Sequence, residues 1–233
     1  METLWICFIA TRGKNLLRLN VAPCFRCFCR ALARVQKYIP NVRIVSIGNV
    51  VPQYEEQADL RREKEKYKIV FIGRMVRNHK RPHLLIEAFI KIAAEFPDWT
   101  LELWGAEDNK RYQKELQAMI ERAGLAERIL FCGTTTNVPA VLVDADLYVM
   151  PSAYEGFGLS LAEGMSMGLP AVGYQNCVAV NELIRDGENG LLADDGAEAL
   201  AEKMAILMRD RDHMGAVGGA DGGTCGFAVT AMV

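Results

Sequence analysis

From Tyr67 onward the sequence switches between two periods, and that alternation limits the fold more than any other feature. Tyr67-Lys-Ile-Val-Phe-Ile72 is a compact apolar run that ends at Gly73, the length and composition of a buried strand. Pro82 to Glu95 then carries Leu84, Leu85, Ala88, Phe89 and Ile92 at helical spacing. Its proline suits a first turn, where no amide hydrogen is needed. Trp99 to Trp104 reads as a strand, and Lys110 to Ala123 as a helix stopped by Gly124. Arg128 to Phe131 is a short strand, and Asn137 to Asp144 a short helix with Asn137 as cap and Pro139 in its first turn. Leu147 to Met150, Pro170 to Gly173 and Gly190 to Leu192 continue as strands. Leu159 to Met167, Asn181 to Arg185 and Glu198 to Met208 are the intervening and following helices.

Strands alternating with helices of this length imply an α/β fold: a Rossmann-like parallel sheet with helices on both faces. Ligands of such sheets bind outside the carboxyl ends of the strands. The loops after Ile72, Trp104, Phe131 and Met150 are therefore the ones to inspect. A further strand is expected over Val42 to Ile47, and Glu55 to Lys66 is a solvated charge run. The domain expected is residues 42–210. Residues 1–41 form a basic arm ahead of it. Residues 211–233 form a tail, Gly/Ala-rich from Gly215 on, without periodicity and expected to be loose.

Composition sets the remaining bounds. Half of the chain is hydrophobic (51%), too much for a disordered protein, and the net charge of −2 offers no global field for nucleic acid. That balance conceals an asymmetry, since residues 1–43 hold eight Lys/Arg and one acid, a charge of +7, and the other 190 residues carry −9. Leu16, Leu17, Leu19 and Val21 lie among those cations as in an interfacial helix, although Pro23 interrupts them. No apolar run approaches a membrane span, and Leu4 to Ala10 follows Glu2 where a secretory signal would carry positive charge. Seven scattered cysteines argue for a reducing compartment. Cys24, Cys27 and Cys29 lack a second Cys/His pair, so buried thiols are favoured over a metal site there and none is expected elsewhere.

Two loops carry the chemistry. In the first, Gly73-Arg74 closes a strand and Lys80-Arg81-Pro82 opens a helix. A glycine turn lets backbone approach a ligand, a helix start offers free N–H groups, and fixed cations add charge-assisted bonds to phosphate. A charged surface loop is the other reading of the same residues. The second loop is Glu155-Gly-Phe-Gly158-Leu-Ser-Leu-Ala-Glu163. On one continuous helix, the two acids would lie about 80° apart, but the glycines let Glu155 fold back over the site. Carboxylates suit sugar hydroxyls because they accept several directed hydrogen bonds. For Glu163, capping or pairing with a surface cation is the alternative.

This second segment, continued by Met165-Ser-Met-Gly168-Leu-Pro170-Ala-Val, resembles the E-x7-E signature of the family 4 (group 1) glycosyltransferases. Phe71-Ile-Gly-Arg74 with Lys80-Arg-Pro-His-Leu-Leu-Ile-Glu-Ala-Phe89 is similar to that family's phosphate loop, and Asn181-Glu-Leu-Ile-Arg-Asp-Gly-Glu-Asn-Gly190-Leu-Leu to its continuation. The resemblance implies one half of a GT-B fold, the C-terminal domain that binds a nucleotide diphosphate sugar, UDP- or GDP-linked. It implies transfer of the sugar, with retention and without a metal or resident cofactor, to a polysaccharide or glycolipid acceptor. It assigns Arg74 and Lys80 to the diphosphate, Glu155 to the donor sugar and Glu163 to the ribose. Glu155, Arg74 and Lys80 are its catalytic candidates. The backbone of Gly156, Phe157, Gly158 and Leu159 would bind the distal phosphate, with Gly73 beside it and Gly133 and Thr134 near the base.

In such an enzyme an acceptor-binding domain precedes this one, and residues 1–40 cannot supply it. The two ends thus read as those of a truncated or frameshifted coding sequence, with the enzyme expected in the cytoplasm or at the inner face of the membrane. A non-catalytic nucleotide-sugar-binding domain that depends on a partner chain is the alternative, as is a fragment of a sugar-nucleotide epimerase of the same architecture.

Overall fold

In a computed structural model of the chain, the described residues are 54–218, Val51 and Pro52, and the backbone of three earlier strands. Those strands, β1 (Cys7–Ala10), β2 (Leu16–Leu19) and β3 (Arg43–Val45), make an antiparallel sheet in the order β2-β1-β3. The strand expected near residue 42 therefore exists, but it pairs with β1 and not with the parallel sheet. Leu16, Leu17 and Leu19, placed in an interfacial helix by composition, lie in strand β2. Cys24, Cys27 and Cys29 fall outside the described residues.

The parallel sheet contains β4 (Tyr67–Ile72), β5 (Trp99–Trp104), β6 (Ile129–Gly133), β7 (Leu147–Met150), β8 (Ala171–Tyr174) and β9 (Gly190–Ala193). Its order is β6-β5-β4-β7-β8-β9, a Rossmann-like arrangement. Helices α1 (Pro82–Ile92), α2 (Lys110–Arg122), α3 (Val138–Val143), α4 (Leu159–Ser166) and α5 (Val178–Leu183) connect successive strands. Helix α6 (Ala197–Arg209) follows β9, and α7 (Arg211–Gly218) follows α6.

Side chains alternate across each strand, so each strand feeds two cores. Ile69, Phe71, Leu147 and Val149 pack with residues of α1, α2, α6 and α7, among them Leu85, Leu116, Leu200 and Met214. Val70, Tyr148 and Met150 face the other way, onto Leu161, Val180 and Leu183 of α4 and α5. With both faces covered, β7 and β8 are buried along their whole length, which explains their unbroken apolar sequence.

Two expectations shift. Helix α5 begins at Val178, three residues before the expected Asn181, because Cys177 turns the chain there and accepts from Asn181 through its carbonyl at 2.9 Å. Residues 211–218, expected in a loose tail, form α7. Asp210 caps it, accepting from the His213 amide at 2.9 Å through its side chain and from the Met214 amide at 2.8 Å through its carbonyl. Met214 and Val217, three apart, are buried. Gly218 lies so close to Gly168 that a Cβ there would stand 2.5 Å from the Gly168 carbonyl oxygen. Gly218, read as part of a loose tail, is here a packing contact.

Candidate active site

Strand order reverses between β4 and β7, which are neighbours in the sheet. From β4 the chain leaves through α1 on one face, and from β7 through α4 on the other. Their departing loops part and leave a crevice at the carboxyl ends, the usual ligand position in such sheets.

The strand tips here carry little side chain. Gly73 donates its amide to the Trp104 carbonyl at 2.8 Å, and Gly105 to that of Gly133 at 2.6 Å. Gly105 approaches Gly73 so closely that a Cβ would sit 1.9 Å from the Gly73 carbonyl oxygen. A Cβ on Gly73 would meet the Lys80 stem at 3.3 Å. Bare backbone at 73 thus lets Lys80 fold over the end of β4.

Lys80 reaches across to Glu155. Its ammonium lies 2.5 Å from Glu155 Oε1, and both side chains are largely buried, 15% and 8% exposed. The buried Ser152 hydroxyl donates to the same Oε1 at 2.5 Å. Both fixed partners fall on one oxygen, and Oε2 is the other acceptor of the group.

Beyond Glu155, Gly156 stands in open space and Phe157 packs on the core beneath α4. Gly158 takes a left-handed conformation, φ 83°, and starts α4. Its carbonyl accepts from Ala162 at 2.9 Å, so the amides of Leu159, Ser160 and Leu161 precede the first intrahelical bond. Ser160 Oγ donates to the Ile72 carbonyl at 3.0 Å, fastening this helix start to the end of β4. The Lys80 loop and this helix start thus both lie at the end of β4, and a lysine and a helix start are each groups that can hold an anion.

Glu163 is half-buried on α4, and burial holds its carboxyl above the usual carboxylate range. Arg74 stands apart from this cluster, 68% exposed and 3.9 Å from Asp108. Gly133, left-handed at φ 70°, and Thr134 are exposed at the tip of β6. The structure gathers Gly73, Lys80, Glu155 and the start of α4 at one point, and leaves Arg74, Gly133 and Thr134 on the rim. Among the described residues no group of three His, Cys, Asp or Glu could hold a metal. Cys177 lies buried beside Glu155, its thiol pushed up by that burial.

Sequence reasoning gave Ser152 and Asp195 no role and read Arg81 only as part of the phosphate loop. Ser152 belongs to no nucleophile motif, and only the fold shows that it turns toward Glu155. Arg81 Nη1 lies 2.8 Å from Asp195 Oδ1, across 114 positions of chain. No spacing rule announces such a contact.

The fold and site define an α/β domain of Rossmann type, with Lys80, Glu155 and a helix start gathered at its switch point. The chain belongs to the glycosyl transferases group 1 family, whose sequence model matches residues 52–218. It is 36% identical over 146 residues to the lipopolysaccharide core biosynthesis mannosyltransferase LpsB of Rhizobium meliloti (strain 1021). That match covers 60% of this chain and 41% of the relative, so the chain spans about two fifths of that protein's length.

Solved structures agree. The C-terminal domain of a group 1 family glycosyl transferase (LpcC) from Francisella tularensis superposes with a TM-score of 0.62 at 28% identity, over 71% of this chain and 89% of that one. Anabaena Alr3699/HepE, in complex with UDP and glucose, gives 0.61 at 26% identity, over 69% and 42%. No helix among the described residues is long and apolar enough to cross a membrane.

Proposed function

We propose that this chain is the donor-binding half of a retaining GT-B glycosyltransferase of family 4, holding a UDP- or GDP-linked sugar at the β4/β7 crevice. The observation that carries the reading is the Lys80–Glu155 contact at 2.5 Å beside the free amides of α4. One side of the crevice suits a diphosphate and the other suits sugar hydroxyls. The UDP and glucose bound to the Anabaena relative support that assignment.

In this reading Lys80 leaves Glu155 in part to meet the diphosphate, and Arg74 swings from the rim to join it. Both offset the charge that builds on the departing nucleotide, electrostatic work worth several kcal/mol in sites of this type. The backbone of Gly156, Phe157, Gly158 and Leu159 binds the distal phosphate. Glu155 receives sugar hydroxyls on Oε2, Glu163 receives the ribose, and Gly133 and Thr134 border the base. The nucleotide sugar is a substrate, and no resident cofactor is assigned. The acceptor is a saccharide or a lipid-linked saccharide at the inner face of the membrane. This is supported by the lipopolysaccharide-core role in the name of the Rhizobium relative. In the GT-B reading its pocket belongs to the half of the cleft that faces this domain.

Titration calorimetry with UDP-glucose and GDP-mannose tests the donor site. Heat is expected with at least one donor, and Lys80→Ala should weaken it about tenfold or more, the loss of a charge-assisted bond. Absence of heat with every donor would overturn the reading.

A further inference from the structure

Arg81 is the one non-glycine residue with positive φ among the described residues, at φ 48° and ψ 44°. That region favours glycine, so an arginine there is held by its surroundings and costs energy to keep. Its side chain shows what holds it. Nε donates to the Pro151 carbonyl at 3.0 Å, Nη1 pairs with Asp195 Oδ1 at 2.8 Å, and the guanidinium lies 4.6 Å above the Tyr174 ring. These partners sit after β7, after β9 and at the end of β8, so one side chain joins three strand ends.

The contact with Pro151 has a companion. The Ala153 amide donates to the His79 carbonyl at 2.8 Å. Residues 79 and 81 thus each grip the segment 151–153, one through backbone and one through the guanidinium. Lys80 lies between the two grips, and Ser152 between the two gripped positions. Those are the residues that meet on Glu155 Oε1.

We infer that Arg81 is a positioning residue: its left-handed backbone aims Lys80 into the crevice, and its latch on Pro151 and Asp195 fixes the Lys80 loop against the Glu155 loop. The role rests on the donor-site reading only for its consequence in binding, since the clamp itself is a property of the free protein. A guanidinium is suited to it, because a planar fork serves a carbonyl, a carboxylate and a ring face together.

Two readouts test it. The first is amine acylation with an N-hydroxysuccinimide acetate, followed by mass spectrometry, with the exposed Lys114 as internal reference. Arg81→Gly keeps the backbone conformation without strain and removes the latch. Labelling of Lys80 relative to Lys114 should rise at least threefold, with the melting temperature held within a few degrees. Equal labelling overturns the proposal, and this result needs no nucleotide. Should Arg81→Gly fail to fold, Asp195→Asn is read in the same way, since its exposed carboxylate is one anchor of the latch.

The second readout is UDP titration of Arg81→Gly in two backgrounds. In the wild-type background the affinity should fall about tenfold, and in Lys80→Ala it should not fall further. An equal fall in both shows that Arg81 acts independently of Lys80, and overturns the proposal. Should wild type bind no nucleotide, the donor-site reading falls while the labelling result still decides the clamp.

Discussion

Lys80 Nζ and Glu155 Oε1 lie 2.5 Å apart although 75 positions separate them in the chain. The pair joins the loop after β4 to the loop after β7 at the point where strand order reverses. Both groups are largely out of solvent, and each is the other's charge partner. Removing either alone leaves a poorly solvated charge, a change that costs about 3–5 kcal/mol for fully buried pairs and less where some exposure remains. Lys80→Met and Glu155→Gln should each destabilise the protein, and the double variant should lose less than the two losses added. A coupling of about 1 kcal/mol or more in denaturant unfolding is expected; additive losses would show that the pair is not formed in solution.

Ser152→Ala removes the second donor to Glu155 Oε1. The hydroxyl is buried and a neutral-to-charged hydrogen bond is lost, so stability should fall by about 1–2 kcal/mol. If Glu155 serves the sugar and not the nucleotide, affinity for a UDP-sugar should drop while affinity for UDP stays. Calorimetry with both ligands separates the outcomes, and equal losses would move Glu155 to the nucleotide.

Burial raises the Glu163 carboxyl above its ordinary value. A raised acid binds its proton more tightly in the folded than in the unfolded state. Its contribution to stability is therefore favourable at low pH, and is lost as pH rises through the folded value. Glu163→Gln should raise stability at neutral pH and flatten its dependence on pH above the ordinary carboxylate range. If Glu163 accepts from the ribose, the same variant should bind UDP about tenfold more weakly. A melting series from pH 4 to 8, with and without UDP, checks both signs.

Gly218→Ala tests whether α7 is docked. The added Cβ would lie 2.5 Å from the Gly168 carbonyl oxygen and 2.9 Å from Pro170 Cδ, and backbone yields little. A loss of about 1–3 kcal/mol is expected, as for other overpacked positions. An unchanged melting temperature would return residues 211–218 to a loose tail.

Much of the fold was legible because it rests on local patterns. The β-branched run at Tyr67–Ile72 and the helical spacing from Pro82 needed no distant information, and both elements begin where the pattern places them. Asn137 and Gly124 marked their helix ends by their own chemistry. The last helix was hidden, because Gly215 and Gly218 lower helix propensity, and the burial of Met214 and Val217 with the close approach of Gly218 to Gly168 and Leu60 offsets that loss. Strand β3 was legible as a strand, but its partner was not, since pairing is a long-range choice.

The sequence by itself determined the alternation of strands and helices, the position of the glycine turns and the residues able to hold an anion or a hydroxyl. Each of these follows from the chemistry of a few neighbouring residues. Tertiary structure alone decided which of those residues meet. It set Lys80 against Glu155 and turned Ser152 toward the same oxygen. It also left Arg74 on the rim and placed a left-handed Arg81 where three strand ends could hold it. Strand order made those choices, because adjacency of β4 and β7 brings together loops that lie some 75 residues apart in the chain.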